Sequence, residues 1–387
     1  MKPGVHSQPH IISFAAVKWD FPLIGRTRKL TEAWIRGGQP TTFIEPPHSY
    51  RSYLAKLLSP GASTPSFVIR PRPTRYPVRW WTRMSPVRLR KMMREGGAAL
   101  RRRLDRLTRP LDAVASVVSP IWLPWLEAAG IGAVVYDCID DLAVHAPDPA
   151  MRRILIDWER ELVGRCGGAV VTAKILAEAL RAIEPTLQIE MIRNGVDAEA
   201  FRERGLHSIR PADLPPRRKP IIGFVGALYE WIDWDLIARA ARELPDVEFV
   251  FIGPSNDDSA IDRLSRYGNV SFLGPRPYDA VPAYVAAFDV CWVPFKLGDI
   301  TAAANPVKIY EYLALAKAVV TTAVADPDSF GGLVKVGKSE DEIIALLQSA
   351  VVQEVSDSDA RVQFARANSW DARGAQYSRF AREVLAR

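Results

Sequence analysis

The sequence predicts an α/β protein of two successive domains, each built on a parallel β-sheet. Its 387 residues exceed the size of one ordinary compact domain. Apolar runs of strand length alternate with helical patterns along the chain, and a proline-rich stretch interrupts this alternation near the middle. With 48% apolar and 25% charged residues, the composition excludes a disordered, collagenous or coiled-coil protein.

The first domain is predicted to comprise residues 1–200, where short apolar segments recur between helical ones. An apolar stretch at 113–136 is long enough to resemble a membrane span, but Pro120, Pro124 and Glu127 interrupt it. It is therefore interpreted as strand, short helix and strand. In this half we expect strands at 11–17, 41–44, 114–118, 133–136, 169–172 and 189–192, and helices at 26–36 and 151–165.

Residues 201–220 are predicted to link the two domains, because prolines 211, 215, 216 and 220 disfavour a long helix or a central strand. The second domain is predicted to comprise residues 221–365, and a helix within 366–387 is expected to pack back on the first domain. Two such domains predict a ligand cleft beyond the carboxyl ends of their strands. In the second domain we expect strands at 221–225, 248–252, 270–273, 290–293 and 318–321, and helices at 234–244, 278–287, 307–316 and 340–352.

The net charge of +7 is distributed unevenly along the chain. Residues 1–110 hold 22 basic and 5 acidic residues, and the stretch 70–109 holds 14 basic and 2 acidic ones. Within it, Leu100, Leu104 and Leu107 recur at helical spacing among arginines, which is typical of a basic amphipathic helix. We expect this stretch to dock on an anionic membrane surface. The residues assigned to the acceptor or membrane side are Arg26, Arg28, Trp80, Trp81, Arg101, Arg102 and Arg103.

Two other interpretations of the basic stretch stay open. Nucleic acid is a rival anionic partner, but no helix-turn-helix, RNP-like or zinc-finger pattern accompanies the charges, so nucleic acid is not expected. The other interpretation is a solvated helix face whose leucines pack on the core of the first domain.

The compartment is predicted from the cysteines and from the start of the chain. Three widely spaced cysteines exclude a disulfide scaffold and indicate a reducing environment. No signal-peptide pattern opens the sequence. We therefore expect a cytoplasmic protein, peripheral on the cytoplasmic face of the membrane.

The most informative segment is Asn305–Ala314, which predicts a helix with a ligand at its start. Asn305 is a favourable N-cap and Pro306 a favourable first helical residue. The first amide N–H groups, at Val307 and Lys308, and the Lys308 ammonium group then form a candidate phosphate site. Glu311 lies one turn later on the same face, where its carboxylate can accept hydrogen bonds from a diol. A nucleotide fits this pair of features, and an ordinary amphipathic helix with a Lys–Glu pair is the alternative.

Three predicted strands of the second domain end in glycine. Gly226, Gly253 and Gly274 follow apolar runs, and glycine lets the backbone approach a ligand closely. Because parallel strands end at one edge of a sheet, these glycines and the helix at 307–316 are expected to converge there.

Several segments resemble family 4 glycosyltransferases of the GT-B superfamily, of the bacterial surface-polysaccharide type. Ile192-Arg-Asn-Gly-Val-Asp197 with Phe201 is similar to their PNGVD…F segment. Asn305–Ala314 with Val319-Val-Thr321 is similar to their PxKxxEYLAxGxPVV helix. Asn368-Ser-Trp370 with Arg373 resembles the start of their C-terminal helix. Tyr136-Asp-Cys-Ile-Asp140-Asp141 resembles a segment of a bacterial branch of these enzymes.

The resemblance implies two Rossmann-like domains that hold a nucleotide-sugar between them. It implies transfer of a sugar, with retention, from a UDP- or GDP-sugar to a hydroxyl of a lipid-linked or polysaccharide acceptor, and no cofactor. Two alternatives stay open: a nucleotide-sugar epimerase on the same fold, and a non-catalytic nucleotide- or glycan-binding homologue. The residues assigned to donor binding are Gly226, Ala227, Gly253, Gly274, Arg276, Lys296, Asn305, Pro306, Val307, Lys308 and Glu311.

The chain also departs from the family pattern. Many members carry a second glutamate eight positions before the one matched by Glu311, where this chain has Ala303. Many place an arginine after the first glycine-ended strand, where this chain has Ala227-Leu-Tyr-Glu-Trp. Neutralisation of the pyrophosphate is therefore assigned to Lys308, with Lys296 or Arg276.

Candidate catalytic groups of the first domain follow the strand at 133–136. They are Asp137, Asp140, Asp141 and His145, of which Asp137 and Asp140 are assigned an acceptor-side role beside the catalytic Lys308. The alternative is that these acids cap the following helix. Asp-X-Asp pairs occur at 233–235, 326–328 and 357–359, but none closes a first-domain strand, so no metal is expected.

Overall fold

The computed structural model describes residues 8–20, 25–47, 65–71, 84–107, 112–144, 146–322, 324–352 and 357–387. The chain divides into two compact units. The first consists of Met1–Arg193 with Arg373–Arg387, and the second of Asn194–Ala372.

The first unit contains a parallel sheet of seven strands within the described residues. The strand order is β3-β2-β1-β4-β5-β6-β7, and every neighbouring pair is parallel. The order reverses between β1 and β4, as in doubly wound α/β folds. The strands are β1 His10–Phe14, β2 Thr41–Ile44, β3 Val68–Ile69, β4 Ala113–Val117, β5 Ala133–Cys138, β6 Gly168–Val171 and β7 Ile189–Met191.

Helices of the first unit connect these strands. The apolar stretch at 113–136 forms β4, a short helix and β5, as the two prolines predict. No helix in the described part of the chain is long and apolar enough to cross a membrane. The helices are α1 Arg26–Arg36, α2 Pro86–Leu104, α3 Leu123–Ala129, α4 Pro149–Val163 and α5 Lys174–Ile183.

The second unit contains a parallel sheet of six strands in the order β10-β9-β8-β11-β12-β13. This order reverses between β8 and β11, so loops diverge from that point and leave a crevice at the carboxyl ends of these two strands. The two sheets confirm the prediction of two Rossmann-like parallel-sheet domains. The strands are β8 Ile221–Val225, β9 Glu248–Ile252, β10 Val270–Gly274, β11 Val290–Val293, β12 Ala318–Thr321 and β13 Val334–Val336.

Helices of the second unit follow the predicted alternation. Between β10 and β11, the predicted helix at 278–287 is a 3₁₀ turn followed by a shorter α-helix, which begins at Val281 with Pro282 in its first turn. The helices are α6 Ala198–His207, α7 Trp234–Glu243, α8 Asp258–Leu264, α9 Val281–Ala287, α10 Asp299–Ala302, α11 Val307–Ala314, α12 Glu340–Val352 and α13 Ser358–Ala367.

The boundary between the units differs from the predicted linker at 201–220. It lies between Arg193 and Asn194, so the predicted linker belongs to the second unit. Its first residues continue α6, in which Phe201 is buried and Gly205 packs against Leu315. The reason is that the prolines begin only at position 211, which leaves the preceding residues free to remain helical.

The last helix, α14 Trp370–Leu385, begins in the second unit and belongs to the first from Arg373 onward. In the second unit, the Trp370 amide donates to the Val196 carbonyl over 3.1 Å. In the first unit, the buried Tyr377 hydroxyl lies 2.6 Å from the Ser116 hydroxyl on β4.

Candidate functional site

The parallel pairing of β8 with β9 places two glycine loops next to each other. Gly226 follows β8 and Gly253 follows β9. Gly253 has φ of +149°, and a Cβ built on it would lie 1.8 Å from the Gly226 carbonyl oxygen. Only glycine therefore fits at position 253. The Gly226 amide donates to the Ile252 carbonyl over 2.8 Å, which fixes the two strand ends to each other.

Lys308 extends from α11 over the first of these loops. A Cβ built on Gly226 would lie 2.7 Å from Lys308 Cε, so the lysine uses the space that a larger residue would fill. Its Nζ lies 5.2 Å from the ring centroid of Phe224 and 5.1 Å from that of Phe295. Both distances are suitable for cation–π attraction. Removal from water lowers the pKa of Lys308 to about 8, and the nearby charge of Glu311 opposes that shift.

The start of α11 differs in detail from the sequence prediction. The helix begins at Val307, and Pro306, with ψ of 122°, is the capping residue in place of Asn305. The Asn305 side-chain oxygen is engaged elsewhere, because it accepts from the Asn194 amide over 3.0 Å and from the Tyr310 hydroxyl over 3.1 Å. In return, the Asn194 side-chain amide donates to the Asn305 carbonyl over 2.6 Å. Asn305 therefore stabilises the segment that precedes the helix through these hydrogen bonds, and it does not cap the helix.

This helix start is suited to an anion. Pro306 has no N–H, and the amides of Val307 and Lys308 belong to the first turn, where a helix has no internal acceptors for them. The positive end of the helix dipole lies at the same place. Together with the Lys308 ammonium group, these donors can bind a phosphate group.

Glu311 lies one turn further along α11, with 8% of its surface exposed. Its Oε1 accepts a hydrogen bond from the Tyr278 hydroxyl over 2.7 Å. A carboxylate held in this way is an acceptor for hydroxyl groups of a sugar, and it stands one helical turn from the phosphate donors. Tyr278 was not singled out from the sequence, because no local pattern connects it with Glu311.

The other cations assigned to the donor lie in different surroundings. Arg276, which follows Gly274, donates to Asp213 over 2.5 Å and to the Tyr284 hydroxyl over 2.9 Å. The Arg276 guanidinium group lowers the pKa of Asp213. This cation is therefore already paired within the second unit.

Lys296 is exposed, and its amide donates to the Trp231 carbonyl over 2.8 Å. That bond ties the loop after β11 to the loop that begins with Ala227. The Trp231 indole N–H donates to the Ala227 carbonyl over 3.1 Å. Of the three assigned cations, Lys308 is thus the one seen against the Gly226 loop.

Asp137 and Arg26 form one buried ion pair in the first unit. The Arg26 guanidinium group donates to Asp137 from Nε over 3.1 Å and from Nη2 over 3.0 Å. The side chains are 3% and 1% exposed. Arg26 Nη1 also donates to the Arg193 carbonyl over 3.1 Å. Arg26 is therefore not exposed to a membrane surface, and its assignment to the acceptor side, like the role of Asp137, stays a prediction.

The remaining first-unit candidates lie nearer the surface. Asp140 accepts from the Asp141 amide over 3.0 Å, and Asp141 accepts from the Ala143 amide over 3.0 Å, so both stabilise their own turn. The next helix, α4, is capped by Asp148 instead. His145 lies outside the described residues.

Two of the other residues assigned to the acceptor or membrane side pair with nearby carboxylates. Arg28 pairs with Glu32 over 2.9 Å and lies over the ring of Trp19. Arg101 pairs with Asp105 over 3.3 Å. Arg102 and Arg103 are exposed, and Trp80 and Trp81 lie outside the described residues. Within the described residues, no cluster of histidine, cysteine and acidic side chains is arranged to hold a metal ion.

Comparison with known proteins connects this geometry with a family. Residues 219–351 match the family "Glycosyl transferases group 1". TuaH of Bacillus subtilis (strain 168), a glycosyltransferase assigned to teichuronic acid biosynthesis, is 28% identical over 201 residues, 49% of this chain and 50% of its own. The D-inositol 3-phosphate glycosyltransferase of Mycolicibacterium smegmatis is 28% identical over 266 residues, 63% of this chain and 59% of its own. The chain thus matches only part of the length of these curated relatives.

Solved structures resemble the chain over nearly its whole length. Sucrose-phosphate synthase of Thermosynechococcus elongatus has a TM-score of 0.71 at 16% identity, covering 97% of this chain and 99% of its own. The Anabaena protein Alr3699/HepE, solved in complex with UDP and glucose, has a TM-score of 0.69 at 13% identity, covering 96% and 99%. At such identities the likeness establishes the fold, which is GT-B. With the family match, it confirms the resemblance to GT-B glycosyltransferases inferred from the sequence.

Proposed function

The chain is related to the GT-B glycosyltransferases, and we propose that it transfers a sugar from a nucleoside diphosphate sugar to a hydroxyl of a lipid-linked or polysaccharide acceptor. In this proposal the second unit binds the donor and the first unit binds the acceptor. The observation that carries the proposal is the meeting of Lys308, the Gly226 loop and the start of α11 at the β8–β11 reversal.

The donor is assigned to this edge of the sheet because its diphosphate is negatively charged. Its diphosphate is placed on the amides of Val307 and Lys308 and on the Lys308 ammonium group. Glu311 accepts hydrogen bonds from hydroxyl groups of the donor. Glycine at positions 226 and 253 adds no side chain of its own between the loops and the diphosphate.

The reaction requires stabilisation of the departing diphosphate. The bond between the anomeric carbon and the phosphate oxygen breaks, a bond to the acceptor oxygen forms, and the phosphate oxygen gains negative charge. Fixed N–H groups and an ammonium group next to that oxygen stabilise the charge as it develops. Lys308 is therefore proposed as the catalytic cation of the second unit.

We expect the configuration at the anomeric carbon to be retained, with the departing phosphate oxygen taking the acceptor proton. An inverting reaction would need a free carboxylate or histidine base. Asp137, assigned that role from the sequence, is instead paired with Arg26 over 3.0 Å and buried, which supports the retaining alternative. Asp140 stays a proposal for contact with the acceptor.

The donor assignment is tested with a panel of UDP-, GDP- and ADP-sugars. Release of nucleotide and formation of glycosylated product are measured separately, with lipid-linked and polysaccharide acceptors. NMR of the product linkage then reports whether the configuration is retained. Release of nucleotide without any glycosylated product would contradict the transferase proposal.

Variants at the site give a second test. Lys308→Gln is expected to lower turnover, because the departing phosphate loses its cation, and Glu311→Gln is expected to raise the donor KM. Lys335→Gln removes an exposed lysine from β13 of the same unit and serves as the matched control. Kinetics of Lys308→Gln and Glu311→Gln equal to those of the control would contradict the site assignment.

We also propose that the reaction takes place at the cytoplasmic face of a membrane, during synthesis of a bacterial surface glycan. The teichuronic acid assignment of TuaH and the 14 basic residues in the stretch 70–109 support this setting. Fractionation of cells into soluble and membrane-bound protein, with and without a high-salt wash, tests it. Protein recovered only in the soluble fraction at low salt would contradict it.

A further inference from the structure

One face of α2 is buried in the core of the first unit. Gly97 packs so closely on α3 that a Cβ built there would lie 2.6 Å from the Trp125 carbonyl oxygen. Leu100 and Leu104 are 3% and 5% exposed. These two leucines therefore pack on the protein, as in the alternative interpretation of this stretch as a helix whose leucines face the core of the first domain. The buried residues of this face are Leu89, Met93, Gly97, Leu100 and Leu104.

The opposite face of α2 is exposed and basic. At 100° per residue, Arg88, Lys91, Arg94 and Arg102 lie within a sector of about 120°. All four are exposed, and within the described part of the chain none of them forms an ion pair. Glu95 is the one acidic residue in this sector. We name these four basic residues the α2 stripe.

The basic residues on the flanks of α2 differ from the stripe because they have partners. Arg90 is held by Glu127 over 2.5 Å and by Glu161 over 2.7 Å. Arg103 donates to the Arg70 carbonyl over 3.1 Å. Arg90 is thus neutralised by two carboxylates, whereas Arg103 keeps its positive charge beside that of the stripe.

Two exposed apolar side chains lie near the two ends of α2. Val87, at the start of α2, is 79% exposed, and Leu107, just after its end, is 55% exposed. The apolar face of α2 is buried against the protein, so it does not enter lipid. What α2 presents to an anionic lipid surface is its exposed basic residues and these two exposed apolar side chains.

We propose that the α2 stripe, with Val87 and Leu107, docks the first unit on an anionic lipid surface. The stripe supplies the attraction to lipid headgroups, and the two apolar side chains enter the boundary of the acyl region. The inference rests on the proposed function, because a lipid-linked acceptor is found only at a membrane. Nucleic acid is the less favoured partner, since its solvated phosphate backbone gains nothing from Val87 and Leu107.

Vesicle sedimentation of the full chain tests this docking surface. Vesicles of phosphatidylcholine mixed with phosphatidylglycerol are compared with phosphatidylcholine alone, at low and high salt. Each basic residue near an anionic leaflet contributes about 1 kcal/mol, or about a fivefold change in partition. The triple variant Arg88→Gln/Lys91→Gln/Arg102→Gln is therefore expected to bind the anionic vesicles about a hundredfold more weakly.

A matched control removes the same charge elsewhere on the first unit. Arg181→Gln/Arg379→Gln/Arg382→Gln changes three exposed arginines on α5 and α14, and its binding is expected to equal that of the unchanged protein. Val87→Ser/Leu107→Ser is expected to weaken binding severalfold without altering its salt dependence. Circular dichroism confirms that each variant is folded.

Three results would overturn the docking proposal. They are equal binding by the stripe variant and the control, equal binding to phosphatidylcholine alone, and tighter binding to duplex DNA than to the anionic vesicles. Nucleotide release from the donor in the absence of vesicles reports on the second unit and is expected to be the same in the stripe variant. A folded protein that binds vesicles but turns over no donor would count against the proposed function and leave the docking surface intact.

Discussion

Lys308→Met is expected to change the stability of the second unit and the binding of the proposed nucleotide in opposite directions. The lysine is held between two aromatic rings and against Gly226, where removal from water lowers its pKa from 10.5 to about 8. A charged group held in this way destabilises the folded protein. Methionine has a similar length and no charge, and it packs favourably against aromatic rings.

The size of the stability gain follows from the pKa shift. One pKa unit corresponds to about 1.36 kcal/mol, so the buried charge costs about 3 kcal/mol. Cation–π attraction to Phe224 and Phe295 offsets about 1–2 kcal/mol of this cost. We therefore expect Lys308→Met to raise the free energy of unfolding of the second unit by about 1–2 kcal/mol at pH 7.

The pH dependence has a definite sign. Because the folded-state pKa lies below the unfolded-state pKa, the unfolded protein binds the proton more tightly between about pH 8 and 10.5. The penalty is complete below about pH 8, and the unchanged protein gains stability relative to Lys308→Met as the pH rises through this window. Binding of an anionic nucleotide has the opposite dependence and weakens above about pH 8, as the ammonium group loses its proton.

Thermal unfolding and calorimetric titration with UDP and GDP measure both effects. The unfolding midpoint of Lys308→Met is expected to rise by about 2–4 °C for each kcal/mol. Loss of a charge-assisted contact to phosphate is expected to weaken nucleotide binding by about tenfold to a hundredfold. Lys335→Met, at an exposed position on β13, should change neither quantity. A Lys308→Met protein that is less stable and binds nucleotide as tightly as the unchanged chain would refute the reasoning.

Three further predictions concern single contacts. Tyr278→Phe removes the hydroxyl that donates to Glu311, so the donor KM should rise while the unfolding midpoint changes little; an unchanged KM would remove Tyr278 from the site. Asp137→Leu leaves Arg26 buried without its carboxylate and should lower the free energy of unfolding by about 3–5 kcal/mol. The double variant Arg26→Met/Asp137→Leu should restore part of this loss. Denaturant unfolding measures both variants, and a double variant no more stable than the single one would contradict the pairing. Ala316 has φ of +59°, a backbone conformation in which glycine avoids about 1–2 kcal/mol of strain. Glycine also makes the unfolded chain more flexible, which costs about 0.4–1 kcal/mol of stability. Ala316→Gly should therefore raise the midpoint of thermal unfolding slightly, and a markedly lower midpoint would show that the position is not strained.

The strands and helices around the proposed donor site were predictable because their signals are local. Apolar runs bounded by Gly226 and Gly253 predict β8 and β9, and Pro306 predicts where α11 begins, to within one residue. Short-range rules were also sufficient for these glycine-ended strand edges, because Gly226 and Gly253 take positive φ values that other residues rarely adopt. The family resemblance of this half rests on the same segments, and it is confirmed by the match over residues 219–351.

Pairing of side chains across the chain was not predictable from these rules. Arg26 and Asp137 are 111 positions apart and were singled out by separate arguments, yet they share one buried ion pair. Arg276 was assigned to phosphate, but Asp213 holds it. Charge identifies a residue as a candidate for an ionic contact and says nothing about which partner the fold brings to it.

By itself the sequence determined the two parallel-sheet domains, the position of the helix that carries Lys308 and Glu311, and the excess of positive charge before residue 110. Periodicity and capping residues encode these features over a few neighbouring positions. The tertiary structure alone decided that the leucines of α2 face the core and that Arg88, Lys91, Arg94 and Arg102 face outward. A helical pattern shows which residues share a face, but only packing against α3 decides which face is buried.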